Sequence, residues 1–83
     1  MFEKIKTYID HVRIMARLST VHNKHPMDAF VYGMWNRDKT HFYIYYGGKL
    51  LRKSASDIAP FEILPSYYHR DFWLVDTSKI TLK

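Results

Sequence analysis

The stretch His41-Phe-Tyr-Ile-Tyr-Tyr-Gly-Gly-Lys-Leu-Leu-Arg-Lys53 gathers five rings and three cations around a Gly-Gly pair. Rings beside cations suit nucleic acid. Bases stack on them at roughly 1–3 kcal/mol each, while Arg and Lys meet phosphates. A Gly-Gly pair between two β-rich runs predicts a two-residue hairpin. The register follows from that turn. Tyr46 opposes Lys49, Tyr45 opposes Leu50, Ile44 opposes Leu51, Tyr43 opposes Arg52 and Phe42 opposes Lys53. Side chains alternate between faces. One face holds Phe42, Ile44 and Leu51, with Tyr46, Lys49 and Lys53. It has no polar group at its centre, so it is expected to be the core. The other holds His41, Tyr43, Tyr45, Leu50 and Arg52. If exposed, it is an aromatic platform, and Tyr43, Tyr45, Arg52 and the adjoining Lys53 are the expected ligand contacts. The competing arrangement lays the N-terminal helix on these tyrosines.

A second aromatic-basic cluster runs Tyr67-Tyr68-His69-Arg70-Asp71-Phe72-Trp73. Phe72 and Trp73 are expected to open a strand. Tyr67, Tyr68, His69 and Arg70 precede it in a loop and offer contacts to a base, a phosphate or a protein. Tyr, Trp and Arg also dominate protein–protein hot spots, so the cluster points to binding without choosing the partner.

Catalytic patterns are weak. His69-Arg70-Asp71 spells part of a kinase signature whose other parts are absent. His22-x-x-His25, even with His11 and Asp28, is a poor metal motif in a chain without cysteine. Ser54 and Ser56 read as turn caps, with no nucleophile elbow. Gly47-Gly48 is followed by no helix and no Lys-Ser/Thr, so it is not a phosphate loop. The eight acids are scattered. A metal-independent nuclease would draw on His41 or His69 near Arg52 or Arg70, but no spacing singles them out. No catalytic residue, metal or cofactor is assigned, and a non-enzyme is expected.

The elements that must position these residues are legible in outline. Residues 2–18 have helical periodicity, with the end expected near Ser19-Thr20. Ile5, Ile9, Val12 and Ala16 form the expected core face, flanked by Tyr8 and Met15. Ile14 falls outside that stripe and is expected to be exposed. Lys6, Arg13 and Arg17 form a basic strip beside Asp10: a solvated face in the plain reading, a surface for phosphate or an acidic partner in the functional one. Residues 22–26 read as a loop before Pro26. Strands are expected at 29–35, 40–46, 49–53, 61–64, 72–76 and 80–82. A turn falls at 36–39, and a capped turn or 3-10 turn at 54–60. The expected fold is α+β: one N-terminal amphipathic helix on a small curved antiparallel sheet of five or six short strands. Residues 42–61 run strand, tight turn, strand, short helical turn, Pro. That order resembles one portion of small SH3-like barrels. The resemblance covers about a quarter of the chain and implies fold alone.

Eighty-three residues are expected to make one domain, 1–83. The net charge of +5 favours acidic partners. With charges within the first six residues no signal peptide is expected, and no apolar run has spanning length. A cytoplasmic protein that does not enter membranes is expected. The leading expectation is nucleic-acid binding, DNA or RNA, without strong sequence specificity. The competing expectation is an interaction module or inhibitor, of the phage or mobile-element accessory type, that docks on an acidic face of a larger protein. A small nuclease comes third. Exposed Ile14, Trp35 or Trp73 would favour a homodimer.

Overall fold

The computed structural model describes residues 2–27, 29–58, 63–67 and 70–79. Helix α1 (Phe2–Lys24) leads into strands β1 (Phe30–Trp35), β2 (His41–Tyr46) and β3 (Lys49–Ser54). A 3-10 turn (Ala55–Asp57) follows, then β4 (Ile63–Pro65) and β5 (Trp73–Asp76). The sheet is open and antiparallel, in the order β3-β2-β1-β5-β4. This is the α+β architecture expected from the sequence. The SH3-like portion stops at the hairpin and the 3-10 turn, since β3 and β4 are the two edges of one open sheet. The strand expected at 80–82 lies outside the described residues. No helix is long and apolar enough to cross a membrane among the described residues.

The β2–β3 hairpin has the register that the Gly-Gly turn dictates, from Tyr46–Lys49 to Phe42–Lys53. Gly47 and Gly48 both have positive φ, 60° and 76°. Two left-handed residues match the twist of the strands they join, and glycine adopts them without a Cβ clash.

The sheet buries both faces. On one side Phe42, Ile44, Ile63 and Val75 form a cluster, with Val31, Trp35, Leu51, Ile58 and Trp73 packed against it. On the other, Tyr32, Met34, Tyr43, Phe72 and Leu74 meet Ile14, Leu18 and Val21 of α1. Covering on both sides explains why β1, Phe-Val-Tyr-Gly-Met-Trp, is apolar throughout rather than alternating.

Three expectations about the helix are corrected. It runs to Lys24, not to residue 20. Ser19 and Thr20 lie inside it, with their hydroxyls donating back to the Ala16 carbonyl. Ile14 is fully buried, and its burial with Leu18 stabilises by roughly 1.5–3 kcal/mol per side chain. Ile5, Ile9 and Val12, expected in the core, are instead exposed. The helix carries two apolar stripes on roughly opposite sides, and the sheet takes Ile14-Leu18-Val21. The Tyr32 hydroxyl donates to the His25 carbonyl at 2.7 Å, which pins the chain as it leaves the helix.

Candidate nucleic-acid interface

The hairpin platform is not a surface. Tyr43 is 1% exposed, with His11 of α1 edge-on to its ring at 6.4 Å. Tyr45 is half-buried beneath His22, ring centroids 5.2 Å apart. The competing arrangement therefore holds, and Tyr43 is corrected from ligand contact to core. Ile14 and Leu18 need an apolar floor, and the tyrosine rings supply one. Arg52 and Lys53 do not share a face either, because consecutive strand residues point to opposite sides. Arg52 lies on the helix side, where its guanidinium comes within 3.4 Å of His41 Nδ1. Lys53 lies on the other side. Tyr67 is almost wholly exposed. Tyr68 and His69 lie outside the described residues.

The predicted cations that do converge are Arg13, Arg17 and Arg70. They meet at a notch that the sheet leaves open. Strand β5 begins at Trp73, opposite Gly33, so the last two residues of β1 run on past its end. Helix α1 passes on one side of the gap and the chain before β5 on the other. The resulting cavity, about 330 Å³, is lined by Arg13, Arg17, Trp35, Arg37, Arg70 and Trp73, with Met34, Asn36, Lys39 and Asp71 completing it. Five cationic side chains face one carboxylate there. They come from α1, the β1–β2 turn and the chain before β5. Only the tertiary structure assembles them.

Several of these groups are held in place. Arg13 lies 3.7 Å from the buried carboxylate of Asp10. Its Nε is buried without a hydrogen-bond partner among the described residues. Arg17 lies 3.6 Å from Asp71, with its guanidinium 5.2 Å from the Phe72 ring centre. Trp35 packs edge-on against Phe42 at 5.0 Å. In the β1–β2 turn, Asn36 Oδ1 accepts from the backbone N–H of Thr40 and of His41. This closes the loop around Lys39, whose φ of 56° is left-handed. A non-glycine residue in that conformation is uncommon, and such positions cluster at binding sites.

Among the described residues no carboxylate pairs with Arg37, Lys39 or Arg70. Among the described residues these cations have no carboxylate partner, and Trp35 and Trp73, whose rings pack on the sheet face away from α1, also line the cavity, a combination that suits a ligand joining phosphate to a flat ring. Lys6, placed with Arg13 and Arg17 in the basic strip, goes elsewhere. It pairs with Asp38 at 2.7 Å, and that carboxylate raises its pKa above 10.5 through a hydrogen bond and charge attraction.

Trp35, Arg37, Lys39 and Trp73 were not singled out as contacts by their sequence. A signal was present. Trp35-Asn-Arg-Asp-Lys39 and Arg70-Asp-Phe-Trp73 each set an indole within four residues of a cation. Among the metal candidates, Asp28 lies outside the described residues. His11 and His22 pack on different tyrosines. Among the described residues no three His, Asp or Glu side chains gather as a metal-binding group.

No protein-family model matches the chain, and neither does any curated protein or solved structure.

Proposed function

We propose that this protein binds nucleic acid, single strands foremost, through the notch between α1, the β1–β2 turn and the start of β5. The observation that carries this reading is the convergence of Arg13, Arg17, Arg37, Lys39 and Arg70 around Trp35 and Trp73. Phosphates would meet the cations, and an unpaired base would stack on an indole. Duplex bases are already stacked, so a single strand gains more from the tryptophans. No recognition helix enters a groove in this arrangement, so affinity is expected to depend weakly on sequence. Phosphate contacts dominate such binding and make it salt-dependent. If all five cations engage a single strand, the slope of log K against log salt approaches about −3.5.

The chain has two tryptophans, and both line the notch. Intrinsic fluorescence therefore reports on the site directly. Labelled single-stranded and duplex DNA and RNA are titrated at low and near-physiological salt, following ligand anisotropy and Trp emission together. The expected result is single-strand binding with Trp quenching and a steep salt slope. The double variant Arg37→Ala, Arg70→Ala should weaken binding and flatten the slope without altering the fold, since both side chains are exposed. No binding at low salt, or binding untouched by that variant, overturns the reading.

A further inference from the structure

Among the described residues the second apolar stripe of α1 has no partner. Ile5, Tyr8, Ile9 and Val12 stand 50–69% exposed, although they make one continuous face with Ala16. The spacing 5-9-12-16 alternates four and three residues. This is the two-residue seam by which one helix packs against another. Shallow grooves run along both sides of the ridge. One is lined by Lys4, Thr7, Tyr8, His11 and Arg52, the other by Ile5, Lys6, Ile9, Asp10 and Arg37.

Charge decides which occupant fits. Lys4 and Arg52 rim one groove and Lys6 and Arg37 the other. Among the described residues no carboxylate pairs with Lys4, Arg37 or Arg52. Among the described residues the acids beside these grooves are engaged already, Asp38 with Lys6 and Asp10 with Arg13. A second copy of this chain would set basic-rimmed grooves against basic-rimmed grooves, with a net charge of +5 on each chain. We propose that this face docks an amphipathic α-helix of another protein, whose apolar seam lies on Ile5, Ile9 and Val12 and whose flanks carry Asp or Glu.

The test uses the full chain and designed four-heptad peptides carrying a fluorophore. One has a Leu seam flanked by Glu. The second has the same seam flanked by Lys. The third keeps the Glu flanks and replaces the seam Leu with Ser. The Glu-flanked Leu peptide is expected to bind with one-to-one stoichiometry, at least about tenfold more tightly than either control. The double variant Ile5→Gln, Ile9→Gln should lose that binding by a similar factor while keeping its helical circular dichroism and its notch binding. Lys4→Glu, which leaves the seam intact, should weaken it too. Four results overturn the proposal: no binding of the Glu-flanked peptide; equal binding of the Ser-seam peptide; a self-associated chain, by sedimentation, that the double variant dissociates; or capture by phosphatidylserine vesicles in place of the peptide.

Discussion

The ring of Phe42 lies across Gly33, where a Cβ would stand 2.5 Å from Phe42 Cε2 and 2.9 Å from the Tyr43 carbonyl oxygen. Glycine is required at this point of β1 by close approach and not by backbone conformation. Phe42 is fully buried and cannot swing away. Gly33→Ala is therefore expected to destabilise by about 1–3 kcal/mol, as overpacked cores do. Thermal unfolding checks this, at about 4–8 °C per kcal/mol for a domain of this size. Because Phe42 also touches Trp35, Trp emission should shift in the folded variant.

Tyr43 and Tyr67 should separate cleanly, although the sequence presents both as ring contacts. Tyr43→Ala removes a ring from the helix–sheet core and is expected to cost about 3–5 kcal/mol. Tyr67→Ala alters an exposed side chain and should stay within about 0.5 kcal/mol of the parent. Urea denaturation midpoints measure both. A mild Tyr43→Ala would mean that α1 does not cover this face.

Lys39 holds a left-handed conformation that Asn tolerates better. Lys39→Asn is expected to raise stability by up to about 1 kcal/mol and to weaken single-strand binding in the same protein. A gain in one property with a loss in the other would mark the turn as strained in favour of a ligand. Chemical denaturation and anisotropy measure the two effects.

The Lys6–Asp38 bridge joins α1 to the β1–β2 turn. Asp38 raises the Lys6 pKa above its ordinary 10.5. A cation whose folded pKa is raised contributes stability that is complete below the unfolded pKa and lost as pH rises through the folded one. Asp38→Asn should return Lys6 toward 10.5 and remove the part of the alkaline stability loss above that value. NMR titration of the Lys6 side chain and melts across that range test it. Both side chains are more than half exposed, so the effect should shrink with added salt.

The sequence alone determined the local geometry. The Gly-Gly pair admits one hairpin, and the alternation around it assigns Phe42, Ile44 and Leu51 to a core face. The Asn36–Lys39 turn, the strand order along the chain and the α+β class follow from short-range patterns of the same kind. Tertiary structure decided which way the helix faced. Two stripes, Ile5-Ile9-Val12 and Ile14-Leu18-Val21, satisfy helical periodicity almost equally. Only the position of the sheet selects between them. That choice turned Tyr43 from a platform into a floor. The binding notch is equally invisible to a linear reading. Its cations lie far apart in the chain, and they meet because β5 pairs with β1 but starts opposite Gly33. Hydrogen bonds between neighbours are written in local residue types. Convergence of distant charges depends on which strands pair, and long-range packing sets that.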